Sequence, residues 1–131
     1  MNIQRRLLSI SLMFALMMGL AGAVLTASPA SAHHGWRWAE DGNFEITGNV
    51  VLARLGNPHG LVRIDVNGEH WTIEVGQPWR NERAGLTDDM LRPGNEITVS
   101  GHRSKDPDER LVKAERVIID GKTYDLYPDR N

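Results

Sequence analysis

The chemistry open to this chain rests on its five histidines, because it has no cysteine. His33 and His34 follow directly on Ala30-Ser31-Ala32, which places small residues at −3 and −1 of a signal-peptidase site. Cleavage after Ala32 would make His33 the first residue, with a free α-amine (ordinary pKa about 7.7–8.0) beside its imidazole. An amine and an imidazole on one residue chelate a metal in a small ring, and one further histidine completes a T-shaped set of three nitrogens. Nitrogen donors in a tetragonal arrangement suit Cu(II). His59, in the loop Gly56-Asn57-Pro58-His59-Gly60, is the first choice for the third donor, because Pro58 stiffens a loop that follows the first strand. His102 is the second choice. Zinc fits less well, since Cys and a His-x₃₋₅-His spacing are both missing. The competing reading is a solvated terminus that binds copper only adventitiously.

The remaining polar residues point to less chemistry. His70 falls opposite Asp65 across a predicted hairpin, where a surface pair is expected; no Ser or Cys nucleophile motif stands near it. Arg63, Asp65 and Glu74 read as a solvated charge ladder. Asp106 with Asp108-Glu109 forms an acidic loop without EF-hand spacing. Phosphate loops and dinucleotide fingerprints are absent, so a non-enzymatic role is expected. Trp36 and Trp38 would share one face of an extended segment. They either cover a barrel edge or offer a ligand-binding patch for a sugar, a peptide, a lipid headgroup or an envelope partner.

Composition bounds these options. The chain has 131 residues and a formal net charge of −2, and loss of Arg5 and Arg6 with a signal peptide would make it more acidic. It therefore lacks the basic excess that drives binding to phosphate backbones, and nucleic acid is disfavoured as a partner. Residues 1–32 read as the signal peptide: a basic start ending in Arg5-Arg6, an apolar run over Leu7–Leu25, then the Ala-x-Ala site. A Sec-exported, periplasmic or secreted protein follows, with no membrane span after cleavage. Residues 33–131 form one small domain.

The elements that must position the histidines are organised around Leu61–Val75. Two alternating runs flank Asn67-Gly68, a pair suited to a type I′ turn. That turn fixes the register: Val66 opposite Glu69, Asp65 opposite His70, Ile64 opposite Trp71, and so on to Leu61 opposite Glu74. Val62, Ile64, Trp71, Ile73 and Val75 then face the core, and Arg63, Asp65, His70, Thr72 and Glu74 face away. Phe44–Leu55 is a long first strand with Gly48 in mid-run, and apolar residues on both faces near Val50-Val51-Leu52 predict that it bends between two parts of the sheet. Pro78–Ala84 is a short helix stopped by Gly85, with Trp79 expected to plug one barrel end. Glu96–Arg103, Leu111–Ile119 and Lys122–Leu126 are further strands, and Tyr127–Asn131 reads as a frayed tail. The order β-β-β-α-β-β predicts an all-β, five-stranded OB-fold-like barrel with one short helix; an open sandwich is the alternative.

Three stretches carry a family resemblance: Ala30-x-Ala32 followed by His33-His34-Gly35-Trp36; Asn57-Pro58-His59; and Gly85-Leu86-Thr87 through Leu91-x-Pro93-Gly94-Asn95-x-Ile97-Thr98-Val99-x-Gly101. On these the chain resembles a family of small secreted bacterial proteins classed as a domain of unknown function. The third stretch also resembles the turn and strand of bacterial OB-fold domains, where Asp often stands at the position of Asn95. The resemblance implies an exported barrel-like domain and no established activity.

Overall fold

The computed structural model describes residues 35–130. Residues 1–32, read above as a signal peptide, and His33 and His34 lie outside the described residues. The strands are β1 (Phe44–Arg54), β2 (Leu61–Val66), β3 (Glu69–Glu74), β4 (Glu96–Arg103), β5 (Leu111–Ile119) and β6 (Lys122–Asp125). Between β3 and β4 lie helix α1 (Pro78–Ala84) and a 3₁₀ turn over Asp88–Leu91. The sheet runs β3-β2-β1-β4-β5-β6, and a parallel β3–β5 pairing closes the first five strands into a barrel. Closure removes the strand edges that an open sheet would expose. The fold is the OB-like barrel that the element order predicts, with β6 added beside β5.

The hairpin has the register set by its turn: Val66 pairs with Glu69 and every pair back to Leu61 with Glu74 follows. Asn67 and Gly68 both take positive φ, 54° and 87°, as a type I′ turn requires. Val62, Ile64, Ile73 and Val75 are buried, and with Ile97, Val99, Val112, Ala114 and Val117 they fill the barrel. Trp71 sits at the margin of this core, stacked on Phe44 at 5.5 Å between ring centroids. β1 bends through a bulge between Val50 and Leu52, which turns Val51 and Leu52 outward.

Two expectations about this framework are overturned. Trp79 is 52% exposed and plugs nothing. Its helix buries only Asn81, and the connection instead contributes Leu86 and Leu91 to the core, with Ala84 and Met90 packed beside them. Residues 127–130 of the tail are also not frayed: Tyr127 packs against the core, and the Arg130 N–H donates to the Tyr127 carbonyl at 3.0 Å.

Candidate functional site

The outer face of the barrel carries a second packed region, built from charged residues. Register places Leu61 beside Glu74, Glu74 beside Lys113, and Lys113 beside His102, in one row across β2, β3, β5 and β4. Alternation points these side chains away from the core, as the sequence pattern predicts for Glu74. Leu61 at the end of the row is exposed, but the charged members are not solvated. Glu74, Lys113 and Glu115 are 6%, 2% and 3% exposed, which corrects the reading of Glu74 as part of a surface charge ladder. Arg63, by contrast, is exposed.

What covers the row is the segment before β1 and the tail after β6. The N-terminal segment is fastened to the end of β4. Ala39 bridges to Ser104, the Glu40 N–H donates to the Arg103 carbonyl at 2.8 Å, and the Lys105 N–H donates to the Trp38 carbonyl at 3.0 Å. The segment turns rather than extends, with the Ala39 N–H donating to the Trp36 carbonyl, so Trp36 and Trp38 do not form one flat face. Trp36 lies edge-on to both His102 and Tyr127, at 5.2 and 5.1 Å between ring centroids. The Arg130 guanidinium lies 3.9 Å from the Trp36 ring centre and the Lys113 ammonium 5.1 Å from it. Both are within cation–π range.

Beneath this cover two carboxylates organise the cations. Glu74 accepts a hydrogen bond from Lys113, and the His59 Nδ1 lies 3.7 Å from the same oxygen. Glu115 Oε1 is 2.9 Å from the His102 Nε2 and accepts from the Arg130 Nε at 3.1 Å, while its other oxygen lies 3.7 Å from Arg116. The His102 Nδ1 is 2.8 Å from the Glu40 carbonyl oxygen. Oxygens at both ring nitrogens fix the orientation of His102. Tyr127 completes the cover. Its phenol is pushed above 10.0 first by burial, with Glu74 acting in the same direction and Arg80 and Arg130 opposing. Arg80 stacks on that ring at 4.2 Å and donates to the Leu126 carbonyl at 3.0 Å.

The sequence-predicted residues distribute unevenly over this geometry. His59 and His102 both reach the charged row, His59 through Glu74 and His102 through Glu115. Trp36 sits on the row, whereas Trp38 is half-buried alongside the end of β4. His70 and Asp65 form the expected surface pair, at 3.7 Å. Lys113, Glu115, Tyr127 and Arg130 are the site residues that sequence reasoning missed. The one available signal was the run Leu111–Ile119, in which Lys113, Glu115 and Arg116 interrupt an otherwise apolar strand. Among the described residues no group of three or more His, Asp or Glu converges as a ready metal cage, and no helix is long and apolar enough to cross a membrane.

Comparison with solved structures gives partial likenesses. Apo TiaS, a tRNA agmatidine synthetase, is similar at 18% identity and a TM-score of 0.44, covering 59% of this chain and 18% of that one. The ZRD-deleted mutant of TiaS with agmatine gives 18% and 0.48, covering 64% and 26%. The TiaS complex with tRNA, AMPCPP and agmatine gives 17% and 0.47, covering 67% and 21%. The chain thus spans about a quarter or less of the length of these proteins. No curated protein matches it. Residues 22–112, which include β1 to β4, the helical connection and the start of β5, match a single sequence family, and the chain belongs to that family of unknown function, DUF6152.

Proposed function

We propose that this protein is a small exported binding protein that coordinates a divalent metal, copper by its donor set, through the α-amine and ring of His33, the ring of His34, and His59. The observation that carries this reading is the convergence of Trp36 and His59 on one ion pair. The Lys113 ammonium lies 5.1 Å from the Trp36 ring centre and bonds Glu74, whose carboxylate is 3.7 Å from the His59 Nδ1. His33 precedes Trp36 by three residues, a span of at most about 11 Å of chain. A terminus held at Trp36 is therefore within reach of the His59 loop, as a shared site demands. Export and cleavage after Ala32 are premises of the reading, supported by the basic, apolar and Ala-x-Ala pattern of residues 1–32. Trp36 is less suited to stacking a sugar, because Arg130 and Lys113 already lie against its ring.

The test is to express the protein with its own signal, establish the mature terminus by mass spectrometry, and titrate Cu(II) by calorimetry and EPR. Two controls accompany it: a chain with one extra Ala before His33, and His59→Ala. The native form binds one Cu(II) with a nitrogen-rich tetragonal spectrum, and each control weakens binding by about tenfold or more. Equal, weak binding by all three forms overturns the reading.

A further inference from the structure

The exposed end of the charged row opens onto a different surface. Register sets Leu61 opposite Arg54 and Arg63 opposite Leu52, and alternation puts all four on the outer face of β1 and β2. The leucines take one diagonal of this square and the arginines the other, with about 7–8 Å between diagonal positions. Both arginines are exposed, and neither guanidinium forms an ion pair or a hydrogen bond with another described residue. The carboxylates nearest on this face are taken: Asp65 lies 3.7 Å from His70, and Glu74 holds Lys113. Like charges this close repel, and an anion between them removes the repulsion. The apolar residues gather at the same place. Val51, Leu52 and Leu61 are three of the four exposed large hydrophobics among the described residues, and the β1 bulge turns the first two outward. A groove of 230 Å³ runs between the leucines and the arginines as far as Thr72.

We propose that this face docks on a membrane surface that carries anionic phospholipid headgroups. A headgroup phosphate seats between Arg54 and Arg63, whose planar forks donate paired hydrogen bonds to phosphate. Val51, Leu52 and Leu61 enter the boundary between headgroups and acyl chains. A protein partner is less well served, because five side chains fall far short of the roughly 20–30 residues a side of a stable protein interface. An extended peptide finds no free strand edge here, since β2 is bonded to β1 and β3, β1 also to β4, and β3 also to β5. A free phosphate would use the arginines and leave the apolar three without a role. The chain as a whole is acidic, so the attraction is local to this face. Docking is therefore reversible and salt-sensitive. The face shares no residue with the proposed metal site, and neither reading depends on the other.

The test is co-sedimentation of the protein, expressed with its own signal as above, with vesicles of phosphatidylcholine alone or mixed with phosphatidylglycerol. The native protein pellets with the anionic vesicles in preference to the neutral ones, and added salt releases it. Arg54→Gln and Arg63→Gln each weaken this binding by about fivefold. Leu61→Ser weakens it by about fivefold or more. All three positions are exposed, so the variants keep the native thermal transition. Arg83→Gln and Trp79→Ala, an exposed cation and the fourth exposed hydrophobic, lie on α1 and leave binding unchanged. Three results overturn the proposal: no pelleting, equal pelleting with both vesicles, or pelleting that the arginine and leucine variants do not weaken. Calorimetric binding of inorganic phosphate, lost in Arg63→Gln and unaccompanied by pelleting, overturns it in favour of a free-anion site. A native dimer in sedimentation velocity that Leu61→Ser converts to a monomer, with no vesicle binding, overturns it in favour of a second copy.

Discussion

Lys113 donates a hydrogen bond to Glu74 across the parallel β3–β5 pairing, on the side of the sheet that faces away from the core. This pairing is what closes the barrel, so the ion pair sits on the seam. Removing one partner leaves a buried charge uncompensated: Glu74→Leu and Lys113→Met should each cost about 3–5 kcal/mol in the metal-free protein. The double variant Glu74→Leu/Lys113→Met should recover most of that loss, because an apolar pair of similar volume needs no desolvation. Urea unfolding of the three variants checks it, and a double variant as unstable as the sum of the singles would contradict it.

Gly101 should be the least replaceable residue of β4. A Cβ there would run into the Lys113 carbonyl oxygen and stand 3.0 Å from the Ala114 Cα, at the point where the β4–β5 register shifts. Gly101→Ala must push the strands apart beside His102, and a loss of about 3 kcal/mol is expected, at the upper end for overpacking. Gly56→Ala is the control, since nothing lies within 4 Å of its added carbon. It should change stability by less than about 0.5 kcal/mol in the same denaturation assay.

Tyr127 gives the fold an alkaline limit. Its phenol is held above 10.0 in the folded chain, chiefly by burial. Below about pH 10 both folded and unfolded chains keep the proton, so this group adds no pH dependence. As pH rises further the unfolded chain loses its proton first, and stability falls until the folded phenol also ionises. Tyr127→Phe keeps the ring against Trp36 and Arg80 but cannot ionise. Chemical denaturation of both proteins between about pH 8 and pH 11 should show the variant losing less stability over the upper part of that range.

The helical connection gives a paired test of what fills the barrel. Trp79, at 52% exposed, should tolerate Ala with a change of less than about 1 kcal/mol. Leu91, at 1% exposed, should cost about 2–5 kcal/mol when cut to Ala. Thermal unfolding that ranks the two the other way would show that the helix packs differently.

The hairpin was legible because everything that fixes it is local: Asn67 and Gly68 set the turn, and the turn sets all six pairs. The same alternation also gave the right direction for Glu74. It could not give its surroundings, because residues 36, 102, 113, 127 and 130 reach Glu74's face only after the barrel has closed. A period of two tells which side of a sheet a residue takes, and here the outer side is roofed over. Trp79 misled for a related reason. Size and apolarity favour burial, but a seven-residue helix with one buried position has little inward face to offer. The histidines divide along the same line. His70 and Asp65 are neighbours through the hairpin itself, whereas His59 and His102 share a region only through Glu74, Lys113 and Glu115.

The Arg130 guanidinium on the Trp36 ring brings the two ends of the described chain side by side. A linker of a few Gly and Ser residues from Asn131 back to His33, with a new opening in the exposed loop 105–108, would give a permuted chain with the strand pairings in place. On the proposed reading, in which the mature chain begins at His33, the nitrogen of His33 becomes an ordinary amide in that chain. Covalent continuity is therefore a means of deleting the proposed donor atom without altering a side chain.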